Sequence, residues 1–272
     1  MALLTQYRVR DEVTLNVADS QGSGPALVFI HGVMMSGRFF ERQIEAFPDR
    51  RVIVPDLRGH GASEKVLSGH TVANYARDLR ALLEAMGVDD RPVLAGWSMG
   101  AMVVWEYLRQ FGPDSARGVV VIDQPPSDFG WPDWEFGALP LDGLRDMVEA
   151  IQTDRRPLLE DFQRLMVHQA GDDQGWMVEE MERLPPAIAS TILCNQTFQD
   201  YRPLLPGLDV PALVAFGADE KLTSPRAGAY IVEHMPRARL EVFAQSSHMP
   251  FWEEADLFNA SVRAFLADLP DA

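Results

Sequence analysis

One short stretch, Gly96-Trp97-Ser98-Met99-Gly100, constrains this chain more than any other. An apolar run from Pro92 to Ala95 leads into it, and a helical pattern from Met99 to Phe111 leaves it. The expected local structure is a buried strand, a sharp turn with Ser98 at its apex, and a helix. Side chains at positions 96 and 100 would collide with the returning chain, so both positions call for glycine. The turn holds the Ser98 hydroxyl clear of the sheet. The helix that follows aims backbone N–H groups and a positive dipole end at whatever sits beside it. Those are the surroundings a nucleophile needs.

The rest of the chain repeats the strand-then-helix rhythm. Continuous apolar runs at Ala26 to Ile30, Arg51 to Pro55, Gly118 to Ile122 and Pro211 to Gly217 read as strands buried on both faces. Helical periodicity covers about Val72 to Met86, Pro225 to His234 and Glu254 to Leu269. Residues from about Tyr7 to Val17 alternate polar and apolar, as antiparallel edge strands do. The expected class is therefore α/β, a mostly parallel sheet covered by helices on both faces. Between residues 124 and 206 the rhythm breaks. That segment carries prolines, Trp131, Trp134, Trp176 and a helix whose Leu158, Leu159, Phe162, Leu165 and Met166 share one face. It is expected to be a helical cap over the C-terminal sheet edge, inserted into a core made of residues 1–123 and 207–272.

Composition narrows the function classes. A chain of 272 residues with 47% hydrophobic content suits one large domain with an insertion. A formal net charge of −16 makes nucleic acid and anionic membrane surfaces poor partners, since both require a basic face. The single cysteine, Cys194, rules out an internal disulfide. No run approaches the roughly 18 apolar residues of a spanning helix, and residues 1–6 lack the pattern of a secretory leader. The expected location is the cytoplasm. No Cys/His cluster has ligand spacing, so neither a metal nor an organic cofactor is expected.

The ends of the buried strands carry the polar residues: His31-Gly32, Asp56, Ser98, Asp123 and Glu220 just past Gly217. Ligands of open parallel sheets sit outside those carboxyl ends, so these residues should converge on one crevice. A serine nucleophile needs a base within hydrogen-bond reach and a carboxylate to orient that base. Of the six histidines, His31 and His60 lie in glycine turns, and His70, His168 and His234 are expected to be solvated. His248, in the loop after the last strand, is the expected base. For the acid, Asp219, Glu220 and Asp123 all end buried strands, and spacing leaves the choice open.

With these residues assembled, the chain resembles the α/β-hydrolase superfamily over nearly its whole length. Within it, the likeness is to the capped esterase, haloperoxidase-like and acyl-homoserine-lactone hydrolase group. The stretches that carry it are Phe29-Ile30-His31-Gly32, Pro55-Asp56-Leu57-Arg58-Gly59-His60-Gly61-Ala62-Ser63, Gly96-Trp97-Ser98-Met99-Gly100 and Ser247-His248-Met249-Pro250-Phe251. The resemblance implies that the acid is the third residue after the strand-ending Gly217, which is Glu220, with Asp219 second and Asp123 third. It also implies oxyanion donors at the backbone N–H groups of Val33 and Met99. Two departures stand out. Ala101 replaces a glycine common in relatives, and no glycine run follows His31, unlike lipases with a Gly-Gly-Gly loop. A serine at the apex also argues against epoxide hydrolysis and haloalkane dehalogenation, which need a carboxylate there.

The expected activity is cleavage of a carboxylic ester or lactone through an acyl-enzyme on Ser98, with a small molecule as the only partner. Trp97, Trp131, Trp134, Phe162 and Met166 are expected to line the substrate site. Three other readings use the same residues differently: an acyl-homoserine lactonase, a cofactor-free ring-cleaving dioxygenase relying on Asp123, and a small-ligand receptor with residual hydrolysis.

Overall fold

The computed structural model describes residues 3–10, 13–88, 91–171 and 174–270. Met1 and Ala2, the first residues of the stretch read for a leader, lie outside them. In chain order the elements are β1 (Leu3–Arg8), β2 (Thr14–Asp19), β3 (Ala26–Ile30), α1 (Glu41–Ile44), β4 (Arg51–Pro55), α2 (Val72–Ala85), β5 (Val93–Trp97), α3 (Met99–Phe111) and β6 (Gly118–Ile122). Four helices follow without a strand of the sheet between them: α4 (Leu141–Thr153), α5 (Arg156–Met166), α6 (Gly175–Glu182) and α7 (Pro186–Thr197). The sheet resumes with β7 (Ala212–Gly217), α8 (Arg226–His234) and β8 (Ala238–Phe243), and the described chain closes with α9 (Pro250–Glu253) and α10 (Ala255–Ala267).

The eight strands form one sheet in the order β1-β2-β4-β3-β5-β6-β7-β8. Pairings β1–β2 and β2–β4 are antiparallel, and the other pairings are parallel. Every residue of β3, β5, β6 and β7 is buried. Successive strand residues point to opposite faces, so complete burial means that helices cover both sides. Edge strand β1 instead has exposed and half-buried positions only, alternating from Leu4 onward.

This order fixes where a ligand can bind. From β3 the chain first moves to β4 on one side and then returns to β5 on the other. The loops leaving β3 and β5 thus diverge, opening a crevice at their carboxyl ends. His31-Gly32-Val33 follows β3 and Ser98 follows β5, so both stand at that crevice.

Backbone contact at this turn explains its glycines. A Cβ on Gly96 would lie 2.3 Å from the Gly100 carbonyl oxygen, and one on Gly100 would lie 2.1 Å from that of Ile30. Neither neighbour is a flexible side chain, so α3 would have to move away from β5 in the first case and from the end of β3 in the second. We expect Gly100→Ala to cost at least about 3 kcal/mol, seen in thermal or urea unfolding as a transition shifted down by several degrees. An unshifted transition would contradict the steric account.

One glycine-bearing turn has a structural task. Asp56 Oδ1 accepts from Gly37 N at 2.7 Å, and its Oδ2 accepts from Ala62 N at 2.8 Å and Asn16 Nδ2 at 3.0 Å. Asp56 therefore ties the loop after β4 together, and it is absent from the wall of the cavity beside Ser98. His70 also differs from its expected solvated position. It is buried, with Nε2 against Val66 O and Nδ1 against the Tyr75 hydroxyl.

Candidate active site

Ser98 has φ +54° and ψ −127°, a conformation L-residues with side chains rarely adopt. Its N–H donates to Ile122 O at 3.0 Å, and its carbonyl accepts from Ala101 N at 2.8 Å. The flanking strand and helix hold the residue in that strained geometry. Its hydroxyl makes no hydrogen bond with a described residue, and Ser98 lies on the wall of a cavity of about 310 Å³.

The loop after β3 passes directly beside it. A Cβ on Gly32 would stand 3.1 Å from Ser98 Cβ, so no larger residue could approach as closely without displacement. His31 braces this loop from beneath. Its Nε2 accepts from Leu57 N at 3.0 Å, so the Nδ1 proton is donated to Gly32 O at 2.8 Å. Val33 then joins Ser98 on the cavity wall. Met99, fully buried, is the first residue of α3, where backbone N–H groups have no partner within the helix.

His248 reaches the same cavity from the loop after β8. Its N–H donates to Met166 O at 3.0 Å, and its carbonyl accepts from Trp97 Nε1 at 2.8 Å. The neighbouring Ser247 hydroxyl donates to Leu165 O at 2.9 Å. The close of α5 and the tryptophan one residue before the elbow serine thus fix the histidine loop.

Two of the three candidate acids meet His248. Its Nδ1 lies 3.2 Å from Glu220 Oε2 and 3.3 Å from Asp123 Oδ1. Asp123 has φ +44°, and its Oδ2 accepts from Gly217 N at 2.8 Å. Glu220 Oε1 accepts from Leu222 N at 2.7 Å and Thr223 N at 2.8 Å. Asp219 does not take part. It is 44% exposed, and its Oδ2 faces His168 Nδ1 at 2.8 Å and Lys221 Nζ at 3.2 Å. One step along the loop turns it toward solvent.

Electrostatics separates the two acids that remain. Burial, then repulsion from Glu220, pushes the Asp123 carboxyl up to about 8. Burial opposes ionisation of Glu220 as well, but His248, a hydrogen bond with Asp123 and the Thr223 amide bring it below the usual carboxylate range. Crowding two buried carboxylates on one imidazole thus pushes them apart, Asp123 toward its neutral form and Glu220 toward its ionised form. Desolvation lowers the His248 pKa, yet Glu220 and Asp123 outweigh it and raise the imidazole above its ordinary value.

These three side chains also form the one group among the described residues with donor atoms close enough, within 4.8 Å of one another, for a metal ion. Their hydrogen bonding argues for proton chemistry instead. Backbone amides occupy one oxygen of each carboxylate, and the other oxygens face the imidazole.

The cavity wall corrects the pocket expected from sequence. Phe162 lies on it, together with Met34, Leu139, Met147, Leu158 and Leu193. Trp97, Trp131, Trp134 and Met166 do not. Trp97 is fully buried beneath the site against Phe39, Phe40 and Phe251. Trp131 and Trp134 spend their indole N–H groups on Ser127 Oγ and Ser127 O, both at 2.9 Å. Met166 is fully buried. The face of α5 expected to be uniform is divided: Leu158, Phe162 and Leu165, spaced i, i+4, i+7, line the cavity, while Leu159 and Met166 turn into the core. Sequence reasoning missed Gln124, Asp128 and Gln196, which also line the cavity. The adjacency of Gln124 to Asp123 was the one available cue.

Comparison with known proteins agrees with this architecture. Residues 25–255 match the model of the alpha/beta hydrolase fold family. The chain belongs to the α/β-hydrolase family. A curated relative, the AB hydrolase superfamily protein YisY of Bacillus subtilis, is 26% identical over 265 residues, covering 95% of this chain and 97% of that one. Among solved structures, an esterase of Exiguobacterium antarcticum superposes with a TM-score of 0.92 at 22% identity, covering 98% of this chain and all of the other. Est816, described as an N-acyl homoserine lactone degrading enzyme, superposes with a TM-score of 0.81 at 23% identity, covering 96% of this chain and all of its own. Both structures share the fold. The likeness to an esterase, haloperoxidase-like and lactone-hydrolase group read from the sequence thus holds at the level of family and fold. No helix among the described residues is long and apolar enough to cross a membrane.

Proposed function

We propose that this α/β-hydrolase is a serine hydrolase that cleaves a carboxylic ester or lactone through an acyl-enzyme. One observation carries the reading. Ser98, strained at the apex between β5 and α3, shares a cavity with a histidine whose Nδ1 is held by buried carboxylates. With Nδ1 so engaged, Nε2 is the nitrogen left to exchange protons with Ser98.

Ser98 Oγ attacks the carbonyl carbon while its proton passes to His248 Nε2, and the ionised Glu220 stabilises the resulting imidazolium. The N–H groups of Val33 and Met99 receive the oxyanion, each worth about 2.7–4 kcal/mol in the transition state. Collapse breaks the carbon–oxygen bond to the leaving alkoxide, which takes the Nε2 proton. Water then gives a proton to the same nitrogen and attacks the acyl carbon; the acyl–Oγ bond breaks, Oγ takes that proton back from Nε2, and the carboxylic acid leaves. The free hydroxyl of Ser98 in the absence of substrate fits this scheme, because catalytic hydrogen bonds commonly tighten in the substrate complex. The cavity is at the small end of the range for ligand pockets, with a mainly apolar wall, so short to medium acyl groups fit it. The helical insertion supplies much of that wall and acts as the cap of the site.

A fluorophosphonate ester should label Ser98 stoichiometrically, as read by mass spectrometry of the labelled peptide, with loss of turnover on short aryl esters. Labelling elsewhere, or labelling without loss of turnover, would refute the proposal. In the same panel, acyl lactones turned over faster than aryl esters would narrow the substrate to lactones. The contact of Asp123 with His248 lends some support to the dioxygenase reading. Oxygen consumption with a hydroxyquinolone and no ester turnover would decide for it.

A further inference from the structure

The proposed chemistry uses Ser98, His248, Glu220, Asp123 and two backbone amides. It leaves unused a second polar group on the same cavity, formed by Gln124, Asp128 and Gln196. Asp128 Oδ1 accepts from Gln124 Nε2 at 2.6 Å, and Oδ2 accepts from Gln196 Nε2 at 3.2 Å. The Gln124 amide is held in place by a second bond, to Pro125 O at 2.9 Å.

This cluster is short of donors. A carboxylate has about four acceptor positions, and these bonds fill two of them. Gln196 is 5% exposed, yet its Oε1 has no hydrogen-bond partner. Thr223, also on the cavity wall, has an enclosed hydroxyl in the same condition. Lys221, the one lysine or arginine among the described residues of the wall, commits its Nζ to Val167 O at 2.8 Å, His168 O at 3.0 Å and Asp219. Among the described residues, two acceptor positions of Asp128 and the Gln196 Oε1 are left without a donor. Burial pushes the Asp128 carboxyl up to about 6, despite the amides of Gln124 and Gln196 and the charge of His248. No cationic side chain is hydrogen-bonded to it among the described residues. A wall meant only for hydrocarbon would be cheaper as leucine, because a buried acceptor without a donor costs roughly 1–3 kcal/mol.

We propose that Gln124, Asp128 and Gln196 form a specificity subsite that binds a hydrogen-bond-donating group, a hydroxyl or an ammonium, carried by the substrate in the cavity that holds its scissile carbonyl. The inference rests on the hydrolase reading for the identity of the ligand as a substrate. The subsite itself rests on the cavity and its hydrogen bonds. Substrates would be hydroxy- or amino-substituted esters or lactones, with the donor seated against Asp128.

Two measurements test it. In the first, methyl ketones serve as non-hydrolysable analogues with chains from butyl to hexyl ending in methyl, hydroxyl or ammonium. Their binding to the unmodified protein is measured by calorimetry. The hydroxyl or ammonium analogue of the best chain length should bind at least about tenfold more tightly than its methyl counterpart. The stronger of the two identifies the donor. In the second, the matching aryl esters, and esters with the donor on the alcohol side, give the ratio of kcat/KM between donor-bearing and plain substrates. Asp128→Asn should erase an ammonium preference, and Gln196→Leu should reduce a hydroxyl preference. Both variants are checked for folding by near-UV circular dichroism. Equal binding of the three ketones to the unmodified protein overturns the proposal. So does a loss in both variants that is the same for all three. Selective ketone binding without turnover of any ester would instead remove the hydrolase reading and leave the subsite standing.

Discussion

Ser98→Ala should abolish ester turnover, lowering kcat by about five to six orders of magnitude, while the protein remains folded. The size of the effect follows from the number of things one oxygen does. In the proposed scheme it forms the acyl bond, exchanges its proton with His248, and carries the carbonyl to the Val33 and Met99 amides. Alanine keeps the Cβ and therefore the strain of the φ +54° turn, so its unfolding transition should match that of the unmodified protein. Glycine at the same position has no such strain. Ser98→Gly should therefore be as inactive as Ser98→Ala but more stable, by about 1–3 kcal/mol, the usual cost of a side chain in a sparsely populated backbone region. Urea unfolding of both variants, run beside initial rates on an aryl ester, reads the two effects separately. Retained turnover in Ser98→Ala would end the nucleophile assignment. Equal stability of the two variants would remove the claim that the turn stores strain.

The parts of the site legible in the sequence are those imposed by backbone geometry. Gly96 and Gly100 face carbonyl oxygens at distances no side chain tolerates, so the turn around Ser98 announces itself whatever the substrate. The buried strands are equally plain, because complete burial leaves unbroken apolar runs. Assignments that depend on which way a loop turns were not legible. Asp219 and Glu220 are neighbours in the chain, yet one reaches solvent beside His168 and the other reaches His248. Asp123 arrives at the same imidazole from the adjacent strand β6, next to β7 in the sheet. The tryptophans misled for a related reason. An indole has a large apolar body and a single donor, so core and pocket positions look alike in sequence. Trp97, Trp131 and Trp134 each satisfy that donor internally and pack away from the cavity. Asp128 stands in a segment of low periodicity after β6, with no pattern to mark it.

The two acids should respond very differently to removal of their charge. With Asp123 raised toward its neutral form, Asn is nearly isosteric with the group it replaces, and Asp123→Asn should keep kcat/KM within about tenfold of the unmodified value. In the proposed scheme Glu220, lowered below the usual carboxylate range, is the charged partner that fixes the imidazole with its Nδ1 proton inward. Glutamine there can offer an N–H to Nδ1 and favour the wrong tautomer, a fault that has cost roughly 10⁴-fold in a comparable triad. The loss here should be smaller, about 10²–10³-fold, because removing the Glu220 charge lifts the repulsion that adds to burial in raising the Asp123 pKa. Asp123 can then ionise and take over at 3.3 Å from His248 Nδ1. The double variant has no such reserve and should lose about 10⁴-fold, more than either single variant. The pH dependence carries the same signature. His248 acts as a base only when neutral, and its raised pKa means that kcat/KM is lost as pH falls through a value above that of an ordinary imidazole. Taking away the Glu220 charge weakens the hold on the imidazolium, so the acid limb of the Glu220→Gln profile should move to lower pH. Asp123→Asn should move that limb down as well, but by less, because Asp123 also holds the imidazolium, after Glu220. A larger loss in Asp123→Asn than in Glu220→Gln, with the larger limb shift in the former, would reverse the roles assigned to the two carboxylates.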